Sequence, residues 1–110
     1  MTSINELKEV SRLEDIQRYV AEMEQDRGFA QHSVEDQCLR LGEEVGELFR
    51  AVRKHRGMSA SIVGSVDEEL ADVLIYLCAI ANRLGVDLKE ALVRKEEYNE
   101  TRSWPGGGRG

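Results

Sequence analysis

Apolar residues recur in steps of three and four along most of the chain, the spacing that places side chains on one face of an α-helix. The pattern occupies four stretches, which run from Ser11 to Gly28, Ser33 to Lys54, Ser65 to Gly85 and Asp87 to Arg102. An additional turn or two is predicted from Ser3. The pattern therefore predicts an all-α domain that resembles a four-helix bundle.

Each predicted helix begins with a capping signal, in which a side-chain oxygen accepts a hydrogen bond from a backbone N–H of the first turn. The paired residues are Ser3 with Glu6, Ser11 with Glu14, Ser33 with Asp36, Ser65 with Glu68, and Asp87 with Glu90. Gly28 and Gly85 are predicted to end the first and third of the four long helices, since glycine readily adopts the left-handed backbone of a helix C-terminus. Residues 55–64 lack periodicity and are predicted to form an exposed loop and a candidate lid.

The apolar residues of the second and third long helices predict where these helices pack. The second helix is expected to bury one continuous seam of Val34, Cys38, Leu41, Val45, Leu48 and Val52. The stripe of the third helix is broader than one neighbour can cover, and it comprises Val66, Leu70, Val73, Leu74, Leu77, Ile80, Ala81 and Leu84. A homodimer, or a dimer of dimers, would bury the remainder. Cys38 and Cys78 are predicted to be reduced core thiols, rather than a disulfide or a zinc pair.

Length and charge narrow the classes of function. A chain of 110 residues with one proline fits a single helical domain, predicted over residues 1–102 and followed by a flexible tail over residues 103–110. The formal net charge of −6 argues against nucleic acid as a partner, because phosphate backbones require clustered lysine and arginine. No apolar run is long enough to cross a membrane, and the polar N-terminus does not resemble a signal peptide. We therefore expect a cytoplasmic protein with no membrane partner.

Two acidic clusters lie beside the apolar faces of the second and third helices. They are Glu43-Glu44-Val45-Gly46-Glu47 and Glu69-Leu70-Ala71-Asp72. At about 100° per residue, Glu44 and Glu69 lie roughly 80° from their seams, and Glu47 and Asp72 roughly 140°, whereas Glu43 points away. Each motif alone is typical of a solvated helix surface, but their matched placement predicts that four carboxylates meet. A divalent cation would relieve their repulsion, and oxygen ligands favour Mg²⁺ or Mn²⁺.

These two motifs resemble the MazG-like branch of the all-α NTP pyrophosphatase superfamily, whose pattern is Glu-x-x-Glu, a variable spacer and Glu-x-x-Asp. The similar segments are Glu44-Val45-Gly46-Glu47-Leu48 and Glu69-Leu70-Ala71-Asp72-Val73-Leu74-Ile75-Tyr76-Leu77, within a resemblance that extends from about Leu13 to Arg102. The resemblance implies metal-dependent hydrolysis of a (deoxy)nucleoside triphosphate to its monophosphate and pyrophosphate, for nucleotide-pool control or house-cleaning. It also implies that Glu44, Glu47, Glu69 and Asp72 are the catalytic metal ligands, and that the protein is a dimer or tetramer.

The same resemblance suggests four substrate-binding residues: Phe29, Tyr76, Lys95 and Asn99. Tyr76 would reach the nucleotide sugar or phosphate, or would be a core tyrosine with a solvated hydroxyl. Lys95 and Asn99 would contact phosphate, or would form a solvated helix surface. Relatives selective for dCTP carry a base-stacking tryptophan where this chain has Phe29, and a second tryptophan in the region of Lys54. These departures leave the preferred base open.

Two other functions remain as alternatives. Phosphoribosyl-ATP pyrophosphohydrolase of histidine biosynthesis shares the superfamily fold and its metal carboxylates. The residues of the two motifs are, however, more similar to those of MazG-like chains. A non-catalytic helical dimerisation module could also retain acidic faces for solubility. Such a module would bind little metal, whereas either enzyme requires it.

Overall fold

The computed structural model describes residues 4–57 and 64–103 of the chain. Its five helices are α1 Ile4–Glu9, α2 Leu13–Arg27, α3 Val34–His55, α4 Val66–Arg83 and α5 Leu88–Glu100. Within these two ranges there is no strand, so the predicted all-α class is confirmed, as is the short helix ahead of α2. The cap predicted at Ser3, the core of the candidate lid (58–63) and most of the predicted tail (104–110) lie outside the described residues.

Three of the predicted helix starts are confirmed at atomic detail. The Ser33 hydroxyl oxygen accepts a hydrogen bond from the backbone N–H of Asp36 at 3.1 Å, and Ser65 accepts one from Glu68 at 3.4 Å. The carboxylate of Asp87 accepts a hydrogen bond from Glu90 at 2.9 Å. These contacts satisfy amide groups that have no partner within the helix, and so they define the first turns of α3, α4 and α5.

The predicted cap at Ser11 is wrong. The residue that precedes α2 is Arg12, whose backbone is extended and whose side chain makes no capping hydrogen bond. Arg12 instead donates from Nε to Asp15 at 3.0 Å, in the first turn of the helix. An ion pair near the positive helix end therefore replaces the predicted hydroxyl cap.

The predicted helix ends at Gly28 and Gly85 are confirmed. Gly28 has φ 77° and donates its backbone N–H to the last turn of α2. Gly85 has φ 66° and follows directly on the last turn of α4. Both angles lie in the left-handed region, which glycine adopts without the steric cost that a Cβ atom would add.

α4 is the central helix and packs against both α2 and α3, while α5 packs against α2. The core comprises Val20, Met23, Cys78 and Ala79, with Ile16, Tyr19, Ile75 and Leu88 packed around it. The prediction that Cys78 is a core thiol is confirmed, since its exposed fraction is 0%. The core thus forms mainly between α2 and α4, which leaves the α3–α4 contact for other side chains.

The predicted buried seam of α3 is confirmed only in part. The residues of the seam that are partly buried rather than fully buried are Val34, Leu41, Val45 and Leu48. Cys38 is an exposed free thiol rather than a core residue, and Val52 is also exposed. α3 instead buries Gln37 and Ala51. Alternating steps of four and three average 3.5 residues, whereas a straight helix has 3.6 residues per turn. The seam therefore rotates by about 20° per heptad around α3, and its ends lose contact with a straight neighbouring helix.

The apolar stripe of α4 is divided between an inner and an outer face. Its small residues Cys78, Ala79 and Ala81 are buried, whereas Leu70, Leu74, Leu77 and Leu84 are exposed. One chain therefore covers only part of the predicted stripe. No helix of the described ranges is both long and apolar enough to cross a membrane.

Candidate metal centre and substrate cavity

Three carboxylates of the two acidic motifs meet where α3 packs against α4. One oxygen from each of Glu44, Glu69 and Asp72 lies within 4.8 Å of the other two. Glu69 and Asp72 are three residues apart on α4 and therefore share one face of that helix. Glu69 is only 8% exposed, and the other two side chains are partly buried. The structure therefore brings together three of the four metal ligands predicted from the sequence.

Burial and neighbouring negative charge both disfavour the ionised form of Glu44 in this cluster. Burial raises the pKa of Glu44 from its ordinary value of 4.5 to about 7, aided by a hydrogen bond with Glu69 and by the charges of Asp72, Glu69 and Glu47. Oε2 of Glu44 and Oε2 of Glu69 are buried and have no hydrogen-bond partner within residues 4–57 and 64–103. Among the residues described, no lysine or arginine forms an ion pair with any of the three carboxylates. The cluster therefore lacks a counter-charge within the described ranges, and two of its buried oxygens lack a hydrogen-bond donor there.

A divalent cation would supply the missing positive charge and would coordinate carboxylate oxygens that lack a hydrogen-bond donor. Two oxygens on opposite sides of Mg²⁺, each about 2.1 Å from the ion, are about 4.2 Å apart, slightly less than the 4.8 Å limit of this cluster. Carboxylate oxygens are the ligands that this ion prefers. The three residues therefore fit a magnesium-type ion with small side-chain adjustments.

Glu47 lies one turn beyond Glu44 but outside the cluster of three oxygens. Its carboxylate contacts the guanidinium of Arg50. It is near enough for its charge to raise the pKa of Glu44. Its role as a fourth ligand stays a prediction, because ligation would require Glu47 to exchange Arg50 for the ion. Glu43 is exposed, as expected for a surface residue.

Gly64, which the sequence analysis did not single out as a site residue, packs against the cluster. A Cβ atom added to Gly64 would lie 2.7 Å from Oε1 of Glu69. The first turn of α4 begins directly after the Ser65 cap, so the backbone of Gly64 closes one side of the Glu69 carboxylate. A side chain at position 64 would have to displace the carboxylate of Glu69.

A cavity of about 170 Å³ connects the acidic cluster to the turn after α2. Its lining residues are Met23, Glu24, Arg27, Phe29, Gln37, Asp72, Ile75, Tyr76 and Ala79. A second cavity of about 110 Å³ is lined by Phe29, His32, Gln37, Arg40 and Tyr76. Phe29 and Tyr76, two of the predicted substrate residues, thus line both spaces. Asp72 lies in the wall of the larger cavity and also belongs to the acidic cluster.

The other two predicted substrate residues lie elsewhere in this chain. Lys95 and Asn99 are on α5, and neither lines the two cavities just described. The Lys95 ammonium lies 5.1 Å from the centre of the Tyr98 ring. Asn99 donates from Nδ2 to Glu96 at 2.6 Å, and its buried Oδ1 has no partner. Their contact with substrate stays a prediction.

A buried ion pair, absent from the sequence analysis, holds the turn that carries Phe29. Arg83 donates from Nη1 and Nη2 to the two oxygens of Glu24, at 3.0 and 2.7 Å. It also donates to the backbone carbonyls of Phe29 at 2.9 Å, His32 at 2.8 Å and Ala79 at 3.0 Å. The guanidinium therefore joins α2, α4 and the cavity wall. A polar residue on an apolar stripe was the available signal, since Glu24 follows Val20 by one turn.

The raised pKa of Glu44 predicts how stability depends on pH in the metal-free protein. The folded state holds a proton on Glu44 at pH values where the unfolded chain has lost it, so the free energy of unfolding falls as pH rises from about 4.5 to about 7. We expect a loss of about 1 kcal/mol, since solvent screens this partly exposed carboxylate. Urea unfolding with a chelator at pH 5 and pH 8 measures the difference. It should shrink in Glu44→Gln and persist in Glu43→Gln, and an unchanged difference in Glu44→Gln would contradict the assignment.

The all-α fold and the carboxylates that α3 and α4 bring together agree with the class that the two acidic motifs resemble, the all-α NTP pyrophosphatases. The model of the MazG nucleotide pyrophosphohydrolase domain matches residues 32–103 of this chain. The protein therefore belongs to the MazG nucleotide pyrophosphohydrolase family.

Individual relatives agree with this membership. Human dCTP pyrophosphatase 1 is 39% identical over 98 residues, which cover 82% of this chain and 58% of the human protein. The chain thus spans less than two thirds of that relative. A dATP/dGTP diphosphohydrolase of Cyanophage S-2L is 40% identical over 65 residues, or 59% of this chain and 52% of the phage protein. The crystal structure of YpjD from Bacillus subtilis superposes with a TM-score of 0.76 and 33% identity, and the match covers 86% of this chain and 98% of YpjD.

Proposed function

We propose that this domain hydrolyses (deoxy)nucleoside triphosphates to the monophosphate and pyrophosphate with a bound Mg²⁺ or Mn²⁺. The observation that carries the proposal is the triad of Glu44, Glu69 and Asp72, whose oxygens lie within 4.8 Å of one another beside a cavity. Family membership supports the same reaction class. Hydrolysis of this kind suits a role in nucleotide-pool control or house-cleaning.

The acidic residues of the site, at one end of the larger cavity, are suited to binding the metal ion and the phosphates. Glu44, Glu69 and Asp72 would hold the ion, with Glu47 as a further ligand, and the bound ion would neutralise phosphate oxygens and charge that develops on pyrophosphate. One carboxylate of the group orients the attacking water or accepts its proton. Arg27, in the wall of the same cavity, adds positive charge that attracts the triphosphate.

The other end of the cavity is suited to a nucleobase. Phe29 is partly exposed, lines both cavities, and offers an aromatic face on which a base can stack. Tyr76 lies on α4 one turn beyond Asp72 and lines the same cavity as Phe29, so its hydroxyl can reach the sugar or a phosphate. One relative is named for dCTP and another for dATP and dGTP, so their names include both sizes of base.

A screen for pyrophosphate release tests the proposal. The purified protein is incubated with the canonical deoxynucleoside and ribonucleoside triphosphates, and with phosphoribosyl-ATP, in the presence of Mg²⁺, Mn²⁺ or a chelator. We expect pyrophosphate and monophosphate in equal amounts from at least one nucleoside triphosphate, and no product with the chelator. Turnover of phosphoribosyl-ATP alone would favour the histidine-pathway reaction, and no turnover of any substrate would favour a non-catalytic module.

We further propose that the protein is at least a dimer, because one chain leaves much of its apolar surface uncovered. Leu70, Leu74 and Leu77 repeat along the outer face of α4, and each is at least 40% exposed. A second copy that packs there would bury a stripe too large for a stable monomer to expose. Light scattering should give at least twice the chain mass of 12.4 kDa. Leu74→Glu is expected to reduce that mass and Lys89→Glu to leave it unchanged, whereas a monomeric parent protein would refute the proposal.

A further inference from the structure

Gln37 is a buried polar residue in the wall that the two cavities share. Its exposed fraction is 3%, and it lines both the larger and the smaller cavity together with Phe29 and Tyr76. It lies in the first turn of α3, where its backbone N–H donates to the carbonyl of Ser33 at 3.1 Å. A buried side-chain amide offers two donor hydrogens and an acceptor oxygen, and burial is unfavourable unless they find partners.

Only one end of this amide has a partner among the residues described. Nε2 lies 3.4 Å from Nδ1 of His32. Oε1 accepts no hydrogen bond from any described residue. The unpartnered oxygens of Glu44 and Glu69 have no accessible surface. Oε1 of Gln37 retains some accessible surface, and Gln37 borders both cavities. This acceptor without a donor therefore belongs to a residue that lines the space beside Phe29.

The orientation of the amide is set by a rigid neighbour. The His32 ring stacks on the Phe29 ring, with centroids 5.6 Å apart and planes inclined by 18°. Arg83 holds the backbone carbonyls of both residues. In the tautomer of His32 that carries its proton on Nε2, Nδ1 accepts a hydrogen bond from Nε2 of Gln37, and Oε1 is then the atom of Gln37 that remains for a ligand.

We propose that Gln37 selects the base of the substrate, by accepting a hydrogen bond at Oε1 from an exocyclic amino group. This inference rests on the proposed nucleotide hydrolysis and names its preferred substrates, the triphosphates of cytosine and adenine. Cytosine N4 and adenine N6 are donors, whereas thymine O4 and guanine O6 are acceptors at the corresponding positions. A keto oxygen at this point would face Oε1 of Gln37. Both atoms are acceptors, so no hydrogen bond could form between them.

The other polar groups of the larger cavity have other partners or roles, and Tyr76 is assigned above to the sugar or a phosphate. Both oxygens of Glu24 are occupied by Arg83, and Asp72 belongs to the acidic cluster. Arg27 is a donor only and suits phosphate or a keto oxygen. Gln37 thus supplies a neutral acceptor in the same wall as the aromatic ring of Phe29.

Substitution of Gln37 by the nearly isosteric methionine tests the proposal. The rates kcat/KM are measured for dCTP, dATP, dTTP and dGTP, with Gln31→Met, an exposed glutamine of the preceding turn, as the matched control. The parent protein should prefer each amino-bearing base over the keto base of the same size by about tenfold, as expected for one hydrogen bond. Gln37→Met should abolish this preference mainly through the amino-bearing substrates, and Gln31→Met should retain it.

Two further measurements keep the test decisive. Gln37→Glu preserves the acceptor oxygen and should retain the preference for amino-bearing bases, which covers the case in which Gln37→Met does not fold. Calorimetric binding of dCMP, dAMP, dTMP and dGMP without metal reports the same selectivity without turnover, so failure of the hydrolysis proposal is distinguishable. An equal preference in the parent protein and Gln37→Met, or a preference of the parent protein for keto bases, would overturn the role of Gln37.

Discussion

Replacement of Glu69 by glutamine, or of Asp72 by asparagine, is expected to lower metal-dependent pyrophosphate release by about 10²- to 10³-fold, the typical effect of removing one preorganised electrostatic group from an active site. Both residues contribute an oxygen to the cluster that fits Mg²⁺. Each amide keeps the shape of the side chain but removes one negative charge, so the ion loses affinity and position. The fold should persist and even gain stability, because repulsion among the remaining carboxylates falls.

Two neighbouring carboxylates provide matched controls for this experiment. Glu43 lies next to Glu44, and Glu68 next to Glu69, but both are exposed and neither belongs to the cluster. Glu43→Gln and Glu68→Gln should therefore turn over substrate at nearly the parent rate. Steady-state rates over a Mg²⁺ titration, with thermal unfolding to verify the fold, provide the comparison. Parent-like rates in both Glu69→Gln and Asp72→Asn would place the metal centre elsewhere.

Arg83→Met is expected to lower the free energy of unfolding by about 3 to 5 kcal/mol, the usual cost of removing one partner from a buried ion pair. The side chains of Arg83 and Glu24 are only 13% and 8% exposed. Without the guanidinium, the Glu24 carboxylate stays buried with no counter-charge, and the carbonyls of Phe29 and His32 lose a donor. The turn that carries Phe29 should also loosen, so surviving protein should show a higher KM.

An exposed ion pair on the same helix as Glu24 offers the control. Arg18 pairs with Asp15, and its side chain is 65% exposed. Arg18→Met should cost less than about 1 kcal/mol, because solvent screens such pairs. Urea unfolding of both variants gives the comparison, and the double variant Glu24→Met with Arg83→Met should recover much of the lost stability. Equal effects of Arg18→Met and Arg83→Met would show that the buried pair contributes little.

The helices and their ends were predictable because the signals that set them are local. Ser33, Ser65 and Asp87 each cap a helix through a backbone N–H three residues further on. Gly28 ends α2 because a left-handed residue is required at that point. The same reasoning failed at Ser11, where the ion pair of Arg12 with Asp15 competes with a hydroxyl cap.

The acidic cluster was predictable for a related reason. The spacing of Glu69 and Asp72 places both on one face of α4, and a second acidic motif on α3 needs only one helix contact to join them. The angular argument could not decide whether Glu47 would face the cluster or Arg50. Glu47 can pair with Arg50 or bind the metal ion. Which of the two it does depends on interatomic distances that the spacing of residues in the sequence does not define.

The sequence by itself determined the all-α class, most helix limits and the pairing of two acidic motifs, since each depends on residues a few positions apart. The tertiary structure decided which sides of α3 and α4 are covered, and it joined Glu24 to Arg83 and Gln37 to the wall beside Phe29. These contacts link residues distant along the chain. Several rotations of an amphipathic helix bury similar apolar area, so only the packing of all helices together selects one of them.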